Sequence, residues 1–358
     1  MAASSRPLRI GVAGVGSFTQ RVILPGLAAC ADAELVALFG PSREKTDRIA
    51  AEYGVHAAFD DYAALLAHSP LDAVLVATPN DAHHPMAMAA LKRNLAVACE
   101  KPLALTTVQA REMLDTARQR GAPTAVNFSY RSSTPYRQIA QLLAEGQLGS
   151  IYHFSVLFLQ GIKADPDLPL AWRMQAGRGG GTVLDIGTHM LDLLRWWFGD
   201  IAAVCAHAKI VVGERTLATG GRAEVTADDT ASCLLQMQNG LTGLMQLSQV
   251  AHGRETYRHI ALYGSAGSVV AIDERNAAPK VRVAKPGGNF ATVPPSPQLH
   301  VAYDDYPAFH LARIVRTLKG ENTDFPTFVD GLRAQEAAEA IQESSEQRQW
   351  VELPRSRG

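Results

Sequence analysis

The sequence predicts an α/β protein in which a doubly wound parallel sheet is followed by an α+β domain with a large, mostly antiparallel sheet. Three observations carry this expectation. Residues 8–146 alternate short apolar runs with amphipathic stretches, the rhythm of strand and helix in a parallel sheet. After Gly149, strand-like runs follow one another, joined once by Asn239-Gly240, the strongest short hairpin signal. The length of 358 residues exceeds one ordinary core, so two domains are expected: 1–125, and 126–358 with a linking helix over 126–149.

The elements follow in order. Residues 8–13 are mainly apolar and run straight into Gly14-Val15-Gly16-Ser17-Phe18-Thr19. This is the Gly-x-Gly-x-x-Gly pattern with Thr19 in the third place. The first glycine permits a tight turn, and the second lets backbone amides opening the next helix approach a pyrophosphate. Thr19 is bulkier than glycine, so that helix is expected to stand slightly further from the strand. Residues 35–39 form a second strand. An NAD site carries an acid near the end of this strand, but here it ends Phe39-Gly40-Pro41-Ser42-Arg43. Ser42 and Arg43 can donate to a 2′-phosphate, and Arg43 can stack on adenine. NADP(H) is therefore expected over NAD(H), with Glu44 counting against it and a plain surface Ser-Arg as the alternative.

Helices are expected at 45–53 and 61–67, then a strand at 71–77 ending in Thr78-Pro79-Asn80-Asp81-Ala82-His83-His84. Adjacent residues diverge on a helix, so the two histidines do not form a metal site. They either cap the helix that follows or belong to a loop closing over the ribose and nicotinamide of a cofactor. Residues 95–99 are the next strand and deliver Glu100-Lys101-Pro102 at its carboxyl end, where open α/β sheets bind ligands. A helix over 108–120 is capped by Thr106 and ended by Gly121. A strand over 122–128 carries Asn127 and leads to Tyr130 and Arg131. Thr134-Pro135 then starts a helix, as cap and first residue, that ends near Gly146.

In the second half, strands are expected at 151–160, 204–212, 230–238, 241–250, 257–263, 268–273 and 281–284, a loop at 286–297, and a helix at 329–345. Within it, Gly179-Gly180-Gly181-Thr182-Val183-Leu184-Asp185-Ile186-Gly187-Thr188-His189 leads into an apolar helix to Phe198. Asp185 and His189 are i and i+4, on one helical face. A carboxylate beside an imidazole orients it and stabilises its protonated form, as a general acid/base requires. The plainer alternative makes Asp185 an N-cap and His189 an ordinary helix histidine. The glycine triplet, which lets a ligand approach the backbone closely, favours the first. Asp192 continues that face or is a surface acid.

Composition narrows the class. Hydrophobic content of 47% and charged content of 19% are those of a soluble globular protein. A net charge of −1 without a basic block argues against nucleic acid or anionic membrane as partner. Four dispersed cysteines signal neither a zinc cluster nor a disulfide framework, and no metal site is expected. Residues 1–7 have no apolar targeting core and no run is long enough to span a membrane, so the cytoplasm is expected.

The motifs together resemble the glucose–fructose oxidoreductase and inositol dehydrogenase group, the Gfo/Idh/MocA oxidoreductases. The carriers are Gly14-Val15-Gly16, the stretch from Ala77 to His83, Glu100-Lys101-Pro102, and the stretch from Gly180 to His189, with Asp330-Gly331-Leu332-Arg333-Ala334-Gln335 like the family's closing helix. The resemblance covers nearly the whole chain. It implies a Rossmann domain followed by an open-faced sheet domain that often mediates homodimers or homotetramers. It implies that Gly14, Gly16, Ser17, Phe18 and Thr19 hold the pyrophosphate, and Ser42 and Arg43 the 2′-phosphate. Thr78, Pro79, Asn80 and His83 would line the ribose and nicotinamide side, and Glu100 and Lys101 would reach the nicotinamide ribose. The Lys101-Pro102 bond is expected to be cis. Asn127 would lie near the nicotinamide, with Trp172-Arg173 bordering nicotinamide and substrate, and Tyr303 a weaker candidate.

The activity implied is hydride transfer between NADP(H) and a secondary hydroxyl or carbonyl of a sugar, cyclitol or related polyol. His189 would exchange the hydroxyl proton, Asp185 orient His189, and Lys101 polarise the oxygen. Lys101 and His189 are expected to meet at that oxygen. Two alternatives stay open: an enzyme that uses the hydride only transiently, and a non-catalytic dinucleotide sensor. Tyr130, Arg131, Arg173, Gln175, Arg178 and His252 are candidate polar wall residues, each with an ordinary surface or structural group as the favoured alternative; Arg131 and Arg173 can meet an acidic substrate group or a phosphate.

Overall fold

The computed structural model describes residues 6–275 and 277–354; residues 1–5, part of the stretch read as lacking a targeting core, lie outside them. The chain forms two units, Met1–Ser132 with Val301–Leu332, and Ser133–His300 with Arg333–Gly358.

The first unit is built on six strands: β1 (Leu8–Ala13), β2 (Ala33–Phe39), β3 (Ala57–Phe59), β4 (Ala73–Val76), β5 (Ala96–Cys99) and β6 (Thr124–Val126). All pairings are parallel, in the order β3-β2-β1-β4-β5-β6. β4 and β5 are buried at every residue, as parallel strands covered on both faces must be. β3 is absent from the sequence reading because three residues carry no readable period. Helices expected from caps are found. Thr106 accepts from Gln109 N at the start of Thr107–Arg120, and Gly121 ends that helix at φ +60°.

The helix Tyr306–Leu318 corrects the expected domain division, which placed all of 126–358 in the second domain. Leu311, Ile314, Val315 and Leu318 fall at helical spacing and are buried in the first unit's core with Ile23, Leu24 and Leu27. The apolar stripe of this segment needs a core to cover it, and the first unit supplies one.

The second unit carries β7 (Ile151–Leu159), β8 (Ile201–Lys209), a side hairpin of β9 (Glu214–Thr216) and β10 (Arg222–Glu224), and β11 (Thr230–Met237) to β12 (Thr242–Ser248). β13 (Tyr257–Gly264), β14 (Ser268–Glu274), β15 (Lys280–Ala284), β16 (Ala291–Thr292) and β17 (Val351–Glu352) complete it. Nine strands form one sheet in the order β16-β15-β14-β13-β7-β12-β11-β8-β17. Only β7 with β12 is a parallel pair, so the sheet is mixed and mostly antiparallel. Gly240 turns the β11–β12 hairpin at φ +86°. Three local expectations change. The loop at 286–297 contains β16, the strand placed at 204–212 is Ile201–Lys209, and Ser133 rather than Thr134 is the N-cap of Thr134–Ala144. Among the described residues no helix is long and apolar enough to cross a membrane.

Candidate functional site

In the first unit, parallel pairing brings the carboxyl ends of all six strands to one edge. Gly40 N donates to Phe59 O, Gly14 N to Phe39 O, Ala77 N to Ala13 O, Glu100 N to Val76 O, and Asn127 N to Cys99 O. The strand order reverses between β1 and β4, and open α/β sheets bind ligands at such a switch point. Gly14 sits there at φ +109°, where a Cβ would overlap the Ala77 carbonyl, so the two strand ends meet only because this residue lacks a side chain. Gly16 is different. It and Ser17 are exposed, and a Cβ on Gly16 would meet nothing within 4 Å. Open space beside a glycine that precedes a helix start is what a pyrophosphate requires, so the residues fit a dinucleotide. The buried Thr19 begins a wide turn, Thr19–Ile23, in which Leu24 N reaches back to Thr19 O.

At the adenosine end, Ser42 caps the helix Arg43–Glu52 by accepting from Lys45 N. Arg43 is exposed but pairs with Asp47 at 2.9 Å, and Asp60 adds negative charge near it, so two carboxylates stand where the sequence reading weighed only Glu44.

Lys101 and Glu100 are half-buried, and the Lys101-Pro102 bond is cis, as the resemblance implied. His83 does not line an open surface. It is fully buried, with Nδ1 2.8 Å from Pro102 O and Nε2 3.0 Å from Thr78 O. Burial pushes its pKa down, helped by the Lys101 charge and opposed by the two carbonyls. Its role as a ribose contact is therefore corrected: it ties the loop after β4 to the Lys101-Pro102 turn. Asn80 is also buried, while Thr78 and Phe18 are partly exposed and Pro79 is exposed. Asn127 is 2% exposed and donates through Nδ2 to Glu100 Oε1. Arg131 is no wall residue. It is buried and donates to Asp330 Oδ1 at 2.9 Å. Tyr303, at 93% exposed, stands out in solvent.

In the second unit, Asp185 lies in a π-helical turn, Val183–Gly187, that continues into the helix Thr188–Phe198 carrying His189. Asp185 is not the N-cap, because Asp228 Oδ2 accepts from Val183 N at 2.9 Å. Asp185 Oδ2 instead accepts from Gln249 Nε2 at 2.8 Å, and Thr182 Oγ1 donates to Gln249 Oε1 at 3.2 Å. Burial raises the pKa of Asp228. Lys163, only 2% exposed, donates to Arg173 O at 3.2 Å. Burial lowers its pKa, opposed by the charges of Asp185, Asp229 and Asp228, so a buried amine stands near Asp185. The sequence reading missed Gln249, Asp228 and Lys163. Each sits just past or before a strand end without a motif around it.

The glycine triplet is also corrected. Gly180 and Gly181 are buried, and a Cβ on them would strike Arg173 O and Asp228 Oδ1, so they accommodate the protein's own chain. Asp192 is fully buried and is no surface acid. Trp172 and Arg173 form a stacked pair, with Cζ 4.3 Å from the ring centre.

Two family models match: "Oxidoreductase family, NAD-binding Rossmann fold" of the GFO_IDH_MocA group over residues 8–128, and "GFO/IDH/MocA C-terminal domain" over residues 136–270. The chain belongs to the Gfo/Idh/MocA oxidoreductase family. Levoglucosan dehydrogenase of Pseudarthrobacter phenanthrenivorans is 28% identical over 344 residues, 87% of this chain and 88% of that one. The dTDP-3,4-didehydro-2,6-dideoxy-alpha-D-glucose 3-reductase of Actinomadura kijaniata is 31% identical over 270 residues, 72% of this chain and 80% of that one. A solved levoglucosan dehydrogenase in complex with NADH and levoglucosan superposes with a TM-score of 0.88 at 27% identity, covering 98% of this chain and 100% of the other. This Gfo/Idh/MocA chain is therefore an oxidoreductase whose first unit is an NAD(P)-binding Rossmann fold.

Proposed function

We propose that this oxidoreductase interconverts a secondary hydroxyl and a carbonyl on a sugar or related polyol, using NADP(H) or NAD(H). The observation that carries the reading is the edge formed by Gly14–Gly16, Thr78, Glu100, Lys101 and Asn127, where a Cβ on Gly16 would meet nothing within 4 Å. Gly16, Ser17, Phe18 and Thr19 hold the pyrophosphate on backbone amides, and Gly14, whose own amide is taken by Phe39 O, shapes the turn that presents them. Thr78, Pro79, Asn80, Glu100, Lys101 and Asn127 hold the nicotinamide half, and Trp172 and Arg173 are assigned to the cofactor by the family resemblance. Sugar-acting relatives support the substrate class. When bound, the nicotinamide supplies or accepts the hydride.

The chain's residues manage the proton and the charge. His189 takes the hydroxyl proton in oxidation and returns it in reduction. Asp185 orients His189, and Gln249 holds Asp185 in place. Lys101 stabilises negative charge developing on the substrate oxygen. NADP(H) is the preferred cofactor on the absence of an acid at the end of β2, with Asp47 and Asp60 as opposing charges. A homodimer or homotetramer through the nine-stranded sheet, and a cytoplasmic location, belong to the same proposal.

The test is a panel of aldoses, anhydrosugars and polyols with each nucleotide, read at the reduced-nicotinamide absorbance. His189→Ala should lower kcat by about 100-fold or more while NADPH fluorescence binding survives. Undiminished turnover in that variant refutes the role given to His189.

A further inference from the structure

The helix Tyr306–Leu318 brings one more side chain to the carboxyl edge of the six-stranded sheet. His310 is fully buried, its ring stacked on Tyr306 at 5.4 Å and tilted against Phe325 at 5.6 Å. Its two nitrogens lie within a row of hydrogen bonds. Arg313 Nη1 is 3.0 Å from Ser132 Oγ, which is 2.8 Å from His310 Nδ1. His310 Nε2 is 2.6 Å from Asn127 Oδ1, and Asn127 Nδ2 meets Glu100 Oε1. Ser132 and His310 are 0% exposed and Asn127 is 2% exposed, so bulk solvent does not compete for these bonds.

The carboxylate end fixes the direction of this row. A guanidinium only donates and a carboxylate accepts. Glu100 takes the Asn127 NH₂, so Asn127 Oδ1 faces His310 and accepts its Nε2–H. In the neutral ring Nδ1 then accepts from the Ser132 hydroxyl, whose oxygen accepts from Arg313. A flipped Asn127 amide would set its carbonyl against the Glu100 carboxylate and its NH₂ against the His310 N–H. Burial and the Arg313 charge push the His310 pKa down to about 3, which keeps the ring neutral.

We propose that His310, as the Nε2–H tautomer, is a positioning residue of the dinucleotide site, locking the Asn127 amide and through it the Glu100 carboxylate in one orientation. This rests on the reading of Glu100 and Asn127 as residues that hold the nicotinamide half. A row that only tied the helix to the sheet would affect stability and leave nucleotide affinity alone.

The test measures Kd for NADPH and NADH by fluorescence, without turnover, in the wild type, His310→Leu, Glu100→Gln and the double variant. His310→Leu should weaken binding about tenfold in the wild-type background, and by less than about twofold when Glu100 is already Gln. Equal losses in the two backgrounds, or none in either, overturn the proposal. If His310→Leu does not fold, ¹⁵N shifts of His310 in the intact protein decide: a proton on Nε2 and a bare Nδ1 support it, and the other tautomer overturns it. Wild-type protein that binds neither nucleotide overturns the proposed function and this inference together. Wild-type binding with an indifferent His310→Leu overturns the inference alone.

Discussion

Gly14→Ala and Gly16→Ala separate what holds the first unit together from what it binds. Gly14 has φ +109°, and a Cβ there would come under 3.0 Å from the Ala77 carbonyl. Holding a side-chain residue in that backbone region costs roughly 1–3 kcal/mol. The overlap is with backbone and is relieved only by moving β1 away from β4, an overpacking cost of about 1–3 kcal/mol more. The sum is a large share of the roughly 5–15 kcal/mol that holds a folded protein. At Gly16 a Cβ meets nothing within 4 Å, so alanine should change stability by less than about 0.5 kcal/mol. The same methyl would occupy the space a pyrophosphate needs. Losing one hydrogen bond to a charged group costs about 1.5–3 kcal/mol, or about 10- to 100-fold in Kd. Urea unfolding followed by circular dichroism and NADPH and NADH titrations of both variants make the assay. Gly14→Ala as stable as the wild type refutes the close strand approach. Gly16→Ala binding both nucleotides at wild-type affinity refutes the pyrophosphate site.

Three further predictions concern the adenosine end, acid stability and assembly. Asp47→Ala releases Arg43 from its 2.9 Å pair and should raise the NADP(H) to NAD(H) affinity ratio, while Arg43→Ala should lower it; matching ratios in titrations of all three proteins would remove Arg43 from cofactor choice. His310 has a folded pKa of about 3 against 6.5 unfolded, so its neutral form stabilises the fold fully above pH 6.5 and that contribution is lost as pH falls toward 3, with an upper limit of about 5 kcal/mol. Urea unfolding of His310→Gln should therefore show a shallower loss of stability across that window, and an unchanged slope contradicts the neutral buried histidine. Leu234 and Leu244 are register partners in β11 and β12, 45% and 56% exposed, so Leu244→Glu should shift an oligomer toward monomer in light scattering; an unaltered mass takes this sheet face out of the assembly.

The features legible in the sequence were local ones. Gly14 and Gly121 need a positive φ that few other residues adopt, and Thr106 caps a helix through a bond three residues on, whereas Asp61, read as the first residue of its helix, is the N-cap. The strand–helix rhythm likewise depends on neighbours within one element. Features that misled had distant partners. Arg131, a candidate wall residue with a structural role as the alternative, takes the structural role through Asp330, 199 positions away. Gly180 and Gly181, read as room for a ligand, are filled by Arg173 and Asp228. The helix Tyr306–Leu318 was passed over because its apolar stripe, though helical in spacing, belongs to a unit the chain had already left.

The two histidines show what decides between the readings. His83 was singled out because it follows Thr78-Pro79-Asn80, and His310 was not, because nothing near it in sequence signals a ligand. Both are fully buried and both have each ring nitrogen engaged. Their difference lies in their partners. His83 contacts two backbone carbonyls, so a change there acts on the path of the chain at Thr78 and at the Lys101-Pro102 turn. His310 contacts a side-chain amide that can turn by half a rotation and whose other end faces a carboxylate of the cofactor edge. His83 thus fixes where the backbone runs, and His310 fixes which way a site side chain faces. That gives the histidine outside every motif a part in the site, with Glu100 as the residue that receives it.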